Sequence, residues 1–256
     1  MNWFEVKDLL LVCLIFVPLE RLFALHPEQK IFRGGWQTDL GHVFATGVLV
    51  KFGLAISVVV ISLAAERLTP TALRAAVAAQ PIWLQFLEIL LLADLGFYLA
   101  HRAFHAIPLL WRFHAVHHSI EELDWLAAHR VHPVDQILTK SASFLPIFSL
   151  GFLVEPILLF ALFYRWQALL IHSNVRIGFG PLRWVIASPQ FHHWHHANCP
   201  DAIGKNFAGQ LPIWDLLFGT LHLPHGRMPQ RYGTDDLVPR SYLAQMAYPF
   251  VRKARV

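Results

Sequence analysis

Apolar positions along this chain come in long runs rather than in amphipathic periods. The first runs from about Trp3 to Phe23, flanked or interrupted by Lys7, Asp8, Glu20 and Arg21, and its strictly uncharged part is Leu9–Leu19. It has the outline of a signal peptide, but no small-residue cleavage site precedes Glu20–Arg21, so it reads as a retained first helix. Leu40–Ala65 follows with Lys51 as its only fixed charge. A membrane helix takes about 20 mostly apolar residues, so a span is predicted here. The third run, Ile82–Ala100, contains Glu88 and Asp94 and ends at His101. The fourth, Ser141–Tyr164, is interrupted by Pro146, Glu155 and Pro156. Each half is short for a hydrocarbon core of ~30 Å at ~1.5 Å per residue. A helical hairpin that enters and leaves on one side, with its tip at Glu155–Pro156, fits this pattern; one kinked span is the alternative.

Composition supports an all-α, multi-pass membrane helical bundle. Hydrophobic residues make up 55% of the 256 positions and charged residues only 15%, against roughly 25% charged in ordinary soluble domains. The mean hydropathy is +0.45. Disorder is excluded, because it needs low hydrophobicity and high charge. Two cysteines, Cys13 and Cys199, exclude a disulfide scaffold and a cysteine-based zinc finger. The net charge of +4 resides in a basic tail, where Arg227, Arg231, Arg240, Arg252, Lys253 and Arg255 outnumber Asp235 and Asp236. No aromatic-basic alternation points to nucleic acid, and a basic tail on a membrane protein suits anionic lipid.

Lys and Arg beside short loops orient the bundle. Placing the first loop, the segment His101–Lys140 and the tail on one side collects 17 of the 21 cations there. That side is predicted to be cytoplasmic, which requires an even number of crossings in the fourth run. No repeat or low-complexity linker is present. The expected division is N-terminal membrane helices over 1–81, a histidine-bearing unit over 82–220 and a basic tail over 221–256.

Sixteen histidines against 17 acidic residues are the anomaly in so uncharged a chain. His101 and His105 stand at i and i+4; His114, His117 and His118 stand at i, i+3 and i+4; His192, His195 and His196 repeat that spacing. Such positions share one helix face, so each cluster can aim its imidazoles at one site. Imidazole suits Fe, Zn, Cu and Ni. Eight or nine such nitrogens exceed what one metal needs and imply two. The predicted cytoplasmic, histidine-rich cap would house this di-metal site. His193 breaks the spacing and is a spare. His26, His42, His222 and His225, as isolated histidines, read as surface or satisfied core residues.

These clusters and their flanks resemble the fatty acid hydroxylase / sterol desaturase superfamily of membrane di-iron oxygenases. The resemblance rests on Asp94-LGFYLA-His101-Arg-AF-His105, Trp111-RF-His114-AV-His117-His118, Arg130-V-His132-Pro133-V-Asp135 and Pro189-QF-His192-HW-His195-His196. Lys205-Asn206-Phe207 and Trp214-Asp215-LLFGT complete it, so that it covers roughly Ile82 to Thr220. It implies two iron ions, O2 as co-substrate, and hydroxylation or desaturation of a lipid C–H bond: sterol, fatty acyl chain, ether lipid or carotenoid. It also implies a further ligand after the fourth run, for which His172 is the candidate, with a capping or supporting role as its alternative. His132 is favoured as structural or supporting. Asp94 lies seven residues before His101 on the same helix face. It would either accept an imidazole N–H or pair with a nearby Arg. The sequence holds no GxGxxG and no CxxCH, so electrons must come from a partner such as a ferredoxin or cytochrome b5-type carrier, which the basic tail could dock. An integral membrane protein is implied: cell membrane if bacterial, endoplasmic reticulum if eukaryotic. The rival readings are a membrane zinc hydrolase, against which Arg102 stands where an HExxH motif needs Glu, and a non-oxygenase metal-binding or transport protein.

Overall fold

The computed structural model describes residues 3–251. Among them the chain is helical, and extended pairing is limited to the isolated bridges Ala24–Val175 and Ala197–Tyr232. The elements are α1 (Trp3–Leu22), α2 (Trp36–Leu68), α3 (Thr71–Ala78), α4 (Ile82–Ala106), α5 (Pro108–His118), α6 (Pro133–Leu150), α7 (Val154–His172), α8 (Pro189–His195), α9 (Ile213–Leu217) and α10 (Tyr242–Ala247). Helix α2 widens into one π-helical turn at His42–Thr46.

Among the described residues, α2, α4 and α7 are long and apolar enough to cross a membrane. Their outer faces leave Phe52, Ile56, Leu91, Leu99, Leu158 and Leu162 exposed, an arrangement that suits hydrocarbon rather than water. Helix α1 forms as expected but is not in this set, because Glu5, Lys7, Asp8, Glu20 and Arg21 lie within it. Its Val12 and Phe16 instead pack on Trp125, Leu126 and Leu169. Its buried Glu20 accepts the backbone N–H groups of Trp125 and Asn174.

The fourth hydrophobic run is a helical hairpin, but its turn is Gly151–Leu153 and not Glu155–Pro156. Gly151 adopts φ 82°, the left-handed conformation that glycine tolerates at a helix end. Pro156 falls in the first turn of α7, where a proline removes no intrahelical hydrogen bond. The halves are also longer than expected. Helix α7 continues through Arg165 and Gln167 to His172, 19 residues in all, enough for about 28 Å.

Contacts at each end establish that the hairpin folds back. At its tip the Leu153 N–H bonds the Gln85 side chain near the start of α4, and Arg74 of α3 lies against Gly151. At its open end Asp135 meets His114 and His172 meets His117. The histidine end of α4 and both open ends of the hairpin therefore lie together.

Two crossings onto α6 run over glycines. A Cβ at Gly96 would overlap the backbone carbonyl of Ala142, and one at Gly53 would press on the Ile137 side chain. Small residues let membrane helices approach in this way. Between α4 and α5 the chain turns at Ile107, whose extended backbone precedes Pro108. This single-residue joint sets the histidine face of α4 against that of α5.

Candidate metal centre

Nine histidine side chains converge in two abutting groups. The ligating nitrogens of His101, His105, His114, His118 and His195 all lie within 4.8 Å of one another, and so do those of His117, His172, His192 and His196. Helices α4 and α5 supply the first group, with His195 from α8; the second combines His117 of α5, His192 of α8, His196 just beyond α8 and the last residue of α7. The rings of His118 and His196, one from each group, stack with centroids 4.7 Å apart. Helix α8 is short but well started: Pro189 occupies its first turn and Ser188 Oγ accepts the Phe191 N–H.

Hydrogen bonds to the outer nitrogens fix how five of these rings point. His101 Nδ1 donates to the Phe207 carbonyl at 2.7 Å, His117 Nδ1 to that of Arg130 at 3.0 Å, His172 Nδ1 to that of Ala168 at 2.7 Å and His195 Nδ1 to that of Lys205 at 2.9 Å. His114 Nδ1 faces Asp135 Oδ2 at 2.7 Å. A neutral ring with its proton on Nδ1 keeps only a lone pair on Nε2. Yet His117 Nε2 lies 3.3 Å from His172 Nε2, with both Nδ1 protons committed to carbonyls. Facing lone pairs at such distances repel unless a cation lies between them. Desolvation by burial, reinforced by the neighbouring imidazoles, holds His114, His117, His118, His192 and His196 well below the ordinary histidine range. Burial also brings His195 down to about 4. The rings are therefore neutral and available as donors to a metal. His105 Nε2 is buried with no hydrogen-bond partner among the described residues. This donor set fits a pair of first-row metal ions.

Outer carbonyls need rigid support, and the 205–211 loop receives it. Asn206, at φ 60°, donates from Nδ2 to the carbonyls of Phe191 and His222. Asp215 accepts the N–H groups of Phe207 and Ala208. Asp94 accepts those of Gly209, Gln210 and Leu211, at 2.9, 2.9 and 2.7 Å. The expectation that Asp94 touches an imidazole or an arginine is thereby corrected. It clamps the loop whose Phe207 carbonyl orients His101. Among the described residues, the carboxyl group that meets a cluster histidine is that of Asp135.

The Arg130 carbonyl is held similarly. Arg130 Nε pairs with Asp39 Oδ1 at 2.5 Å, and Arg33 bridges Asp39 and Asp124 at 2.6 and 2.7 Å. All four side chains are buried, and their mutual pairing offsets the cost of removing them from water.

His132 lies outside both groups. It caps α6 by accepting the Val134 N–H, and its Nε2 meets the Met246 carbonyl. His193 bonds Tyr232 and the Ser173 carbonyl. His42 bonds Gln245 and the Val131 carbonyl. His26, His222 and His225 also stand apart. Sequence reasoning quoted Asp135, Asn206 and Asp215 within motifs without giving them tasks. The available signal was their type, since short acidic and amide side chains beside turns commonly bind backbone N–H groups.

One face of the histidine groups opens into a cavity of about 550 Å³. His101, His114, His117, His172 and His192 contribute to its wall, and Phe144, Ile147, Phe148, Ile157 and Phe160 make the far end apolar. Residues of α1 and α2, among them Val12, Val43 and Leu54, close its side.

The fatty acid hydroxylase family model matches residues 86–220, more than half of the chain and the stretch that holds every histidine of both groups. The chain belongs to the fatty acid hydroxylase family. Over 99% of its length it is 32% identical to the ornithine lipid hydroxylase OlsE of Rhizobium tropici, covering 77% of that protein. It is 33% identical to the alkylglycerol monooxygenase of Xenopus tropicalis, over 54% of this chain and 30% of that one. It is 30% identical to methylsterol monooxygenase 1 of Gallus gallus, over 50% and 42%. No solved structure matches significantly. This family member's relatives are thus lipid hydroxylases and monooxygenases, and its own apolar helices and histidine groups agree with a membrane oxidoreductase that uses a metal centre.

Proposed function

We propose that the protein is a di-iron oxygenase that hydroxylates a membrane lipid. The observation that carries this reading is the convergence of nine histidines in two groups that open on an apolar cavity, with the Nε2 lone pairs of His117 and His172 turned towards one another. In this reading His101, His105, His114, His118 and His195 hold one iron, and His117, His172, His192 and His196 hold the other. When bound, the iron pair supplies the activation of O2 and the oxidation of a C–H bond, with two electrons from an external carrier such as a ferredoxin or cytochrome b5-type protein.

The chain's own residues do the rest. The carbonyls of Phe207, Arg130, Ala168 and Lys205 keep the outer nitrogens of His101, His117, His172 and His195 protonated, which directs their inner lone pairs. Asp135 raises the donor strength of His114 through their hydrogen bond. The cavity walls exclude water, and their apolar far end holds the lipid's chain so that the molecule reaches the histidine wall. Residues 82–220 make the catalytic unit, the described part of 1–81 walls the substrate side, and the described part of the basic tail lies on the same, cytoplasmic face as the histidines, Arg252, Lys253 and Arg255 lying outside the described residues.

The test is turnover in membranes. Cells expressing the protein are given isotopically labelled O2, and their lipids are compared with those of cells carrying a His192→Ala variant. The expected product is a lipid heavier by one labelled oxygen atom, absent in the variant. An unchanged lipid profile, with an electron carrier supplied, would overturn the reading; loss of two hydrogens would make the reaction a desaturation.

A further inference from the structure

The cavity is apolar at its far end but carries cations on its flank. Lys140 of α6 and Arg165 of α7 both line it. Arg165 is half-exposed and pairs with Asp8 of α1 at 3.0 Å. Lys140 has no carboxylate partner among the described residues. Its ammonium lies over the Tyr164 ring, 5.8 Å from the centroid. Both charges also act on His129, another wall residue, which is driven down to about 4 by burial first and then by Lys140 and Arg165. The flank thus gathers positive charge without full internal compensation, in a wall that is otherwise mostly apolar.

The position matters as much as the charge. Lys140 lies five residues along α6 from Asp135, and Arg165 seven residues along α7 from His172. At 1.5 Å per residue these are axial separations of roughly 8 and 11 Å from the histidine end. A single lipid molecule can therefore touch the cationic flank and the histidine wall at once.

We propose that Lys140, assisted by Arg165, forms an anion subsite that takes the acidic group, carboxylate or phosphate, of an amphiphilic lipid whose chain lies in the apolar end of the cavity. The proposal rests on the reading of this cavity as the lipid site. Lys140 is then a specificity determinant that selects acidic over neutral amphiphiles of equal chain length.

Binding tests it without turnover. The full-length protein in nanodiscs of neutral lipid is titrated with palmitate, hexadecyl phosphate and hexadecanol, each displacing a fluorescent fatty acid. Wild type is expected to bind at least one acidic probe about tenfold more tightly than the alcohol, equivalent to about 1.4 kcal/mol. The preferred acid identifies the headgroup source. In Lys140→Met the preference should collapse towards parity while hexadecanol binding is kept, which also shows that the variant folds; Lys140→Arg should restore it. Parity in the wild type, or a full preference surviving in both Lys140→Met and Arg165→Met, would overturn the proposal. A protein that shows the preference yet never oxygenates lipid would leave this subsite standing and remove the oxygenase reading. One that oxygenates lipid without the preference would remove the subsite alone.

Discussion

The histidines divide by what their outer nitrogens touch. His117 sends Nδ1 to a carbonyl and Nε2 into the second group. Replacing it by Ala is expected to lower bound metal and abolish lipid oxidation while membrane insertion stays normal, because no apolar span depends on it. Full activity in that variant would take His117 out of the ligand set. Replacing the outlying His222 by Ala is expected to change little, and loss of activity at normal expression would show that it too serves the site. Asp135 is a finer probe. Asp135→Asn keeps the shape beside His114 but removes the carboxyl group, and supporting partners of this kind are typically worth 10–100-fold in metal affinity. Chelator competition on the iron-loaded protein checks this, and an unchanged affinity would reduce Asp135 to a spacer. Asp94 acts at one remove through three backbone N–H groups. Asp94→Ala leaves those donors buried without an acceptor and is expected to cost about 3 kcal/mol of stability, read as a lower thermal midpoint with or without metal.

Among the elements, the crossing of α4 and α6 is the most demanding. Gly96→Val is expected to force the two helices apart, since even a Cβ there meets backbone, and so to reduce folded yield and metal content together. Normal yield and metal content in Gly96→Val would contradict that packing. Helix identities were largely legible in the sequence, because long apolar runs and i, i+3, i+4 histidines speak directly of spans and faces. The hairpin was legible as a need to return, yet its turn was not, because a Glu-Pro pair draws attention while Gly151 carries the positive φ. Helix α1 was legible as a helix, but its charges exclude it from the apolar spans and tie it to the loops instead. The role of Asp94 was not legible, because the 209–211 loop that it clamps lies about 115 residues away. Contacts of that range follow from the whole fold and leave no local period.

At the scale of the whole molecule, the hairpin, the joint at Ile107 and the start of α8 all bring histidines to one end of the bundle. Topology can be read by single cysteines placed at exposed sites. Glu121→Cys and Asp201→Cys at the histidine end should be labelled from one side of the membrane, and Ala72→Cys and Val154→Cys at the hairpin tip from the other. Labelling of Glu121→Cys and Asp201→Cys from opposite sides would break the shared site. The central claim, that two groups of histidines hold two metal ions, is tested most directly by anaerobic titration of the purified full chain with ferrous iron, followed by X-ray absorption at the iron edge. Two ions per chain in a shell dominated by imidazole nitrogen is the result predicted here. A single tightly held ion, or a shell dominated by carboxylate oxygen, would contradict it.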